Sequence, residues 1–231
     1  MTTSAPVALA LPLDAGLQAE LWRLELVRWP SNLEIASVSV AEKEKAARFV
    51  FERDQRRYMA AHVGLRQVLA KYCNTRPENL NFDQGPFGKP DLHPPIRCAF
   101  NLSHSEDIAV ILVAPHGAIG VDVEMLRSMP DATALAKRNF STVECRSLNA
   151  TDAARRDQAF LTGWTRKEAC LKAIGSGLSI APDTFTAGLH HDRRTTTIPT
   201  PEGLATVTVQ SFCHEERCII AWAKVEPASA D

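Results

Sequence analysis

The chain has 231 residues, of which 45% are hydrophobic and 23% are charged, and its formal net charge is -1 at pH 7. This composition is typical of a soluble globular protein with one large domain or two small ones, and the near-neutral charge gives no reason to expect a nucleic-acid partner. No apolar run reaches the length of a transmembrane helix, so we expect no membrane association. The six cysteines lack the paired spacing of a zinc site and favour a reducing cytoplasm.

The first part of the chain is predicted to be a strand followed by two helices. Apolar and polar residues alternate over Leu21–Val27, which is the pattern of a strand, and two helical segments follow between Ser39 and Lys71. Basic residues concentrate where these helices meet, and we call this group the basic junction: Lys45, Arg48, Arg53, Arg56 and Arg57. A cluster of this kind is compatible with a solvated face and with an anion-binding site.

The next two motifs carry donors for an anion. Glycine and proline surround Lys89 in the segment 85–91, which predicts a stiff loop, and the lysine is either solvated or held toward a phosphate. In Phe100–Ser105, alternation predicts a strand end with Asn101 and Ser103 on its polar face, followed by a turn at Ser103 and His104. His104 is either an inert turn histidine or a donor to a phosphate oxygen.

Two apolar strands are predicted next, Ile108–Val113 and Ile119–Glu124, and the turn residues between them indicate a hairpin. A period of two places Asp122 and Glu124 together on the face opposite Val121. Neighbouring carboxylates repel each other, so they lie at an exposed edge or share a bound cation.

The second half is organised around a helix from about Gln158 to Ile174. Its apolar stripe places Glu168 and Lys172 one turn apart on one face. The two are either an ordinary surface ion pair or a site that holds a cation beside an anion. Before this helix, Ser141 and Glu144 form the pattern of a capping box, and strands are expected afterwards near 206–210 and 218–225.

Together these residues indicate chemistry at phosphorus. Asp122, Glu124 and Glu168 offer carboxylate oxygens, the ligands that Mg2+ prefers. Cationic or hydrogen-bonding groups for phosphates come from Arg57, Lys89, His104 and Lys172. No arrangement of a serine or cysteine nucleophile with a histidine base is evident, so we expect Mg2+-assisted transfer.

Four motifs occur in the order, and at similar spacing, seen in Sfp-type 4'-phosphopantetheinyl transferases, and the chain resembles that family over roughly residues 40–185. They are Phe87-Gly88-Lys89-Pro90, Phe100–Ser105, Ile119–Glu124 and Trp164–Lys172. The resemblance implies an α/β (α+β) fold of two similar subdomains related by a pseudo-twofold axis, with coenzyme A between them. A loose internal repetition places the boundary near Ala118, which gives an amino-terminal subdomain of residues 1–118 and a carboxy-terminal subdomain of residues 119–231.

The resemblance also implies the role of each site residue. Asp122, Glu124 and Glu168 would hold Mg2+. The set expected to bind coenzyme A is Arg57, Gly88, Lys89, Pro90, Asn101, Ser103, His104, Asp122, Glu168 and Lys172, with Arg57 matched to the 3'-phosphate by position. The expected catalytic residues are Glu168, Lys172 and His104, and Glu168 is the candidate base for the incoming serine, directly or through water. The chain departs from the family pattern over Glu42–Lys45, where acids are interleaved with the bases, so the outer phosphate contacts stay unassigned.

The implied activity is Mg2+-dependent transfer of the 4'-phosphopantetheine arm of coenzyme A to a serine of an acidic apo carrier protein, with release of adenosine 3',5'-bisphosphate. The enzyme is expected to be a monomer, and its carrier to belong to fatty acid, polyketide or nonribosomal peptide synthesis. The basic junction is the expected docking region for the carrier. Two alternatives stay open: a Mg2+-dependent phosphoesterase or nuclease, and a regulatory protein that binds coenzyme A without turnover.

Overall fold

The computed structural model describes residues 5–11, 17–85, 87–94 and 98–227. The α-helices in these ranges are α1 (Asn32–Ile35), α2 (Val40–Ala47), α3 (Glu52–Tyr72), α4 (Ala132–Asn139), α5 (Thr142–Ala150) and α6 (Ala153–Ile174). The strands are β1 (Val7–Leu9), β2 (Glu20–Glu25), β3 (Phe82–Gln84), β4 (Pro90–Leu92), β5 (Ala99–Ser105), β6 (Ile108–Ala114), β7 (Ile119–Met125), β8 (Arg194–Thr200), β9 (Gly203–His214) and β10 (Cys218–Val225). Short 3-10 helices lie at Pro77–Asn79, Gly177–Ser179 and Pro182–Thr184.

The described residues divide into two compact units. The first contains β1 and the segments Gln18–Gln84 and Pro90–His116, and the second contains Gly85–Lys89 and the chain from Gly117 onward. The lysine loop at 85–89 therefore packs with the second unit, although it precedes β5 and β6 of the first unit in sequence.

The first unit is a four-stranded antiparallel sheet with one long helix against it. The strand order is β1-β2-β6-β5, and α3 packs on β2 and β6. The core contains Leu24 of β2, Leu65 and Leu69 of α3, and Ile111 of β6, each 3% exposed or less. Burial of these side chains is the main contribution to the stability of this unit.

The second unit repeats this plan with different sequences. Its sheet has the order β7-β10-β9-β8, again antiparallel, and α6 packs on β7, β9 and β10. Small side chains line the helix face at the sheet, including Ala169 and Ala173, and they meet Val209 and Ala221. Their small size lets α6 approach the sheet closely.

The two units share one topology. In each, a first strand (β2 or β7) is followed by a long helix (α3 or α6) and then by an antiparallel hairpin (β5–β6 or β9–β10). The first strand pairs in both cases with the last strand of the hairpin. The prediction of an α+β fold with two similar subdomains is confirmed, and the fully antiparallel sheets place it on the α+β side of that prediction.

Two local predictions in this region are wrong. Strands β6 and β7 do not form a hairpin, because β6 pairs with β5 and β2, whereas β7 pairs with β10. Ser103 and His104 lie inside β5 rather than in a turn, and the chain turns two residues later, where Glu106 has a positive φ of 50°. The predicted helices α2, α3 and α6, the capping box of α5 and the strands β9 and β10 are confirmed.

No helix among the described residues is long and apolar enough to cross a membrane. The six cysteines, all within the described part of the chain, are free thiols.

Candidate active site

Strand β7 and helix α6 meet at a glycine. A Cβ atom built on Gly120 would overlap the backbone of Ala169 and Ala173, because the strand lies directly against the helix there. Since side chains alternate along a strand, Asp122 and Glu124 lie on the same face as Gly120 and are directed toward α6. This spacing brings the carboxylates of the strand to the polar residues of the helix.

The expected carboxylates and Lys172 are close together in this unit. The ammonium of Lys172 lies 2.6 Å from Oδ1 of Asp122, whose side chain is only 8% exposed. Burial and the charge of Asp122 raise the pKa of Glu168, Lys172 lowers it, and Glu124 raises it further. The pKa of Glu168 therefore responds to the charges of both carboxylates of β7. Glu124 also accepts a hydrogen bond from Arg127 at 2.7 Å.

The donor set fits a hard cation in its chemistry. Among the residues that the structure describes, no three His, Cys, Asp or Glu side chains converge as the ligands of a metal ion do. Asp122, Glu124 and Glu168 nevertheless supply oxygen ligands only, from a strand and a helix that contact each other. Oxygen donors of this kind suit Mg2+ rather than zinc or copper.

Two basic residues of the Trp164–Lys172 motif are structural. Arg166 is fully buried and donates hydrogen bonds of 2.6 to 2.7 Å to the carbonyls of Ala187, His190 and Asp192. It therefore fastens the loop that leads to β8 onto α6, and burial lowers its pKa to about 10.

Lys167 connects α6 to α5 and to the segment that contains Pro182 and Phe185. Its ammonium lies 2.8 Å from Glu144 of α5 and donates to the carbonyls of Pro182 and Phe185. Burial of this lysine lowers its pKa, although the charge of Glu144 opposes the change. Both side chains are 1% exposed, so removing either one leaves a buried charge without its main counterion.

Lys89 lies in the second unit with its ammonium among backbone carbonyls. It donates to the carbonyl of Ile119 at 2.8 Å, to that of Lys172 at 2.7 Å and to that of Ala173 at 3.3 Å. The loop before it closes through hydrogen bonds between Gly85 and Lys89 and between Gly88 and Gly85. Gly88 has a φ of 81°, a conformation that favours glycine.

In the first unit, Arg57 is fixed by acidic partners. Its Nε donates to Asp107 at 2.9 Å, and Asp54 lies 3.6 Å from its Nη1. Arg56 donates to the same carboxylate and to the carbonyl of Leu26. Hydrogen bonding to Arg57 holds the pKa of Asp107 below its usual range. Of the basic junction, these two arginines are held in place, whereas Arg53 is 62% exposed.

The remaining expected contacts to coenzyme A also lie in the first unit. Asn101 and Ser103 are 6% exposed on one face of β5, and His104 is exposed on the other face. Pro90 begins β4, directly after the lysine loop. The expected site residues are thus divided between the units, with the carboxylates, Lys89 and Lys172 in the second one.

Sequence reasoning missed residues that act through burial or contact. Asp107 was not expected to hold the arginines, and Gly120 was not expected to set the distance between β7 and α6. The signal for Gly120 was its place in a strand of otherwise larger residues, since glycine there often marks a close backbone approach.

The second unit also contains a cavity of about 590 Å³ at the amino-terminal end of α6. Arg155, His190 and His191 are among its lining residues, and none of the expected site residues lines it. His191 contacts Ser211 at 3.0 Å, and the carbonyl of His190 accepts a hydrogen bond from Arg166.

Two family models match the chain, one on each half. The model described as "4'-phosphopantetheinyl transferase, N-terminal" matches residues 22–116. The model described as "4'-phosphopantetheinyl transferase superfamily" matches residues 118–221, the segment that contains Asp122, Glu124, Glu168 and Lys172.

Several proteins named 4'-phosphopantetheinyl transferase are similar to this chain over most of their length. The 4'-phosphopantetheinyl transferase HetI of a Nostoc species is 36% identical over 167 residues, which cover 70% of this chain and 70% of that protein. The 4'-phosphopantetheinyl transferase psf-1 of Bacillus pumilus is 31% identical over 194 residues, 84% of this chain and 82% of the relative. The 4'-phosphopantetheinyl transferase Sfp of Bacillus subtilis is 32% identical over 155 residues, which cover 67% of this chain and 68% of that protein. The chain therefore belongs to the Sfp-type 4'-phosphopantetheinyl transferase family and is a transferase of this kind.

Proposed function

We propose that this protein transfers the 4'-phosphopantetheine arm of coenzyme A to a serine hydroxyl of an apo carrier protein in a Mg2+-dependent reaction. The observation that carries the proposal is the group formed by Asp122, Glu124, Glu168 and Lys172, held on β7 and α6 within the segment that matches the family. This group offers carboxylates for a cation and an ammonium for a phosphate at adjacent positions.

Asp122, Glu124 and Glu168 are the proposed Mg2+ ligands. Bound there, Mg2+ would supply positive charge that offsets the negative charge increasing on the phosphates during the transfer. Lys172 lies beside Asp122 and adds a second positive charge at the same place. A charge-assisted hydrogen bond from this lysine to a phosphate oxygen is a strong contact.

The other proposed contacts to coenzyme A are residues expected from the sequence. Arg57 is the candidate for the 3'-phosphate, and Ser103 and His104 on β5 are candidates for the pyrophosphate. Asp107 supports this role of Arg57. It accepts hydrogen bonds from Arg56 and Arg57, and these bonds keep both guanidinium groups in a fixed orientation. Gly88, Pro90 and Asn101 complete the proposed set. Lys89, which the sequence also assigned to it, has its ammonium among backbone carbonyls.

The transfer itself is a displacement at one phosphorus atom. The oxygen of the carrier serine forms a bond to the phosphorus that bears the pantetheine arm. The bond between that phosphorus and the bridging oxygen breaks, and adenosine 3',5'-bisphosphate leaves with the bonding electrons. The proton of the serine passes to Glu168, directly or through water, and His104 and Lys172 donate to phosphate oxygens.

The carrier is proposed to be an acidic protein of fatty acid, polyketide or nonribosomal peptide synthesis. A monomeric enzyme in the cytoplasm is part of the same proposal, and the free cysteines support a reducing location.

The proposal is tested by mass spectrometry of a panel of apo carrier proteins after incubation with the protein, coenzyme A and Mg2+. A gain of the mass of the phosphopantetheine arm on at least one carrier is expected. Matched samples in which the target serine is replaced by alanine should gain nothing. If coenzyme A is consumed equally without any carrier, the protein is a hydrolase instead.

A further inference from the structure

The Lys89 ammonium joins the strand and the helix that carry the site. Its three carbonyl partners belong to Ile119, the first residue of β7, and to Lys172 and Ala173, in the last turn of α6. An ammonium group offers three N–H donors, and these carbonyls are placed to accept them.

The position of these carbonyls explains why a cation belongs there. The last carbonyls of a helix have no partner within the helix, and they form the negative end of its dipole. Helix α6 ends at Ile174, after which Gly175 adopts a left-handed conformation with φ 81°. Lys89 donates hydrogen bonds to two of the carbonyls that have no partner within the helix, as lysines near helix ends do.

This contact lies next to the group proposed to do the chemistry. Asp122 and Glu124 follow Ile119 on β7, and Glu168 precedes Lys172 on α6 by one turn. At Gly120 the strand and the helix already touch. A clamp at Ile119, Lys172 and Ala173 therefore fixes how far the two carboxylates of the strand lie from the one carboxylate of the helix.

From this geometry we infer that Lys89 is a positioning residue for the transfer reaction. Its ammonium holds β7 against the end of α6 and keeps the carboxylates and Lys172 in register, whereas a direct contact to a phosphate of coenzyme A is not its role. The inference rests on the proposed function, since it is the transfer that needs this register.

The first test replaces Lys89 by methionine, which keeps the length of the side chain and removes the ammonium. We expect kcat to fall about tenfold and the Mg2+ concentration for half-maximal rate to rise, because small displacements of reacting groups are costly. The Kd of coenzyme A measured by calorimetry without Mg2+ should change by less than about twofold. Amide hydrogen exchange over 171–177 should become faster in the variant, and this readout needs no activity.

Two matched variants give these numbers a scale. Lys224 lies on β10, which pairs with β7, and its ammonium is 3.5 Å from Glu226. Lys224→Met removes this lysine and should leave every readout unchanged. Lys89→Arg keeps a positive donor and should restore most of kcat. A Lys89→Met variant that binds coenzyme A at least about tenfold more weakly, with an unchanged kcat and Mg2+ requirement, would show a phosphate contact. Faster exchange with normal kinetics would show a merely structural cap, which also overturns the inference.

A second measurement uses the wild-type protein and does not depend on a variant that folds. Lysine amines are modified by reductive methylation, with and without coenzyme A and in the absence of Mg2+, and the rate at each lysine is read by mass spectrometry. We expect coenzyme A to leave the rate at Lys89 unchanged within about twofold, because the ammonium already lies among carbonyls. Strong protection of Lys89 by coenzyme A would contradict the inference.

The two failures can be distinguished. If the wild-type protein transfers no arm to any carrier, the proposed function is wrong. If the wild-type protein transfers the arm and Lys89→Met does so with normal kcat and normal Mg2+ dependence, only the positioning role is wrong.

Discussion

Asp122 is the residue at which the observed ion pair and the proposed metal chemistry meet. Its carboxylate lies 2.6 Å from the ammonium of Lys172 and is almost completely buried. A buried carboxylate with one cation beside it is suited to accept a second one, provided that further carboxylates share the charge, which is the role proposed for Glu124 and Glu168.

The variant Asp122→Asn keeps the size of the side chain and removes its charge. We expect the transfer rate to fall by at least about a hundredfold at saturating substrates, since electrostatic stabilisation is usually the largest catalytic term. The circular dichroism spectrum should stay unchanged. Asp83→Asn, at a carboxylate that is 58% exposed on β3, is the control and should be fully active. Normal Mg2+-dependent transfer by Asp122→Asn would remove Asp122 from the metal site.

At the same scale, Glu42 of α2 predicts how the first unit responds to acid. Burial opposes its ionisation, but hydrogen bonds from His62, Arg66 and Ser39 outweigh burial and hold the pKa of Glu42 well below its usual 4.5. The ionised form is therefore stabilised on folding. This contribution is fully present above about pH 4.5 and is lost as the pH falls toward the lower folded pKa.

We expect Glu42→Gln to lower the free energy of unfolding at pH 7, and the difference from wild type to shrink at about pH 3. Denaturant unfolding at the two pH values measures both quantities. Glu78→Gln, at an exposed position, should match wild type throughout. A difference between Glu42→Gln and wild type that does not depend on pH would mean that the network acts through packing rather than charge.

At the scale of elements, the contact between β7 and α6 defines the proposed site. The strand supplies two carboxylates and the helix supplies the third with Lys172, so their separation decides whether the groups cooperate. Gly120 sets that separation, because any side chain there would meet the helix backbone, which cannot rotate away as a side chain can.

Gly120→Ala should therefore lower the free energy of unfolding by about 1–3 kcal/mol, the usual cost of overpacking, and reduce activity further by moving α6. Denaturant unfolding and the transfer assay measure the two effects. Gly85→Ala, whose added Cβ would meet only the carbonyl of Lys89 at 3.3 Å, is the milder comparison. Equal stabilities of the two variants would show that the strand and helix have room to separate.

Elements were easier to predict than their partners. Helical periodicity and capping patterns are local, so α2, α3, α5 and α6 could be predicted from sequence. Strand pairing is not local, and the short turn between β6 and β7 gave no sign that the strands join different sheets. The burial of Arg166 and Lys167 was missed for the same reason, since the carbonyls that accept their hydrogen bonds lie 15 to 26 residues further on.

At the scale of the whole molecule, the chain is nearly neutral, so an acidic carrier must be attracted by a local group of charges. The structure reduces the number of basic-junction residues that can attract a carrier, because Arg56 and Arg57 donate hydrogen bonds to Asp107. Lys45, Arg48 and Arg53 are exposed and are the members left to meet a partner.

We expect the KM for the carrier to rise with salt, because the Debye length falls from about 10 Å at 0.1 M to about 3 Å at 1 M. Arg53→Glu should raise that KM several-fold while leaving the KM for coenzyme A unchanged. Arg56→Glu, in contrast, should lower stability, since it would place two carboxylates together at Asp107. A KM for the carrier that is independent of salt would indicate apolar docking or a surface in the second unit.

The candidate site was predictable to the extent that its residues lie in short motifs. The acidic residues and Lys172 could be selected by type and spacing, whereas Arg57 was assigned only by its position in the family resemblance. The family is now shown by similarity over both halves of the chain. The role of Lys89 could not be read in this way. A lone lysine in a glycine-rich loop indicates an anion, whereas its observed partners are backbone carbonyls that no side-chain pattern encodes.

The most direct test of the central claim follows both products of the reaction in one sample. The protein is incubated with an apo carrier, coenzyme A and Mg2+, and the phosphopantetheinyl serine and the released adenosine 3',5'-bisphosphate are quantified together. Our expectation is that they appear in equal amounts, and that neither appears when a chelator replaces Mg2+ or when the carrier is omitted. Release of adenosine 3',5'-bisphosphate without modification of the carrier, or an undiminished rate in the chelator, would contradict it.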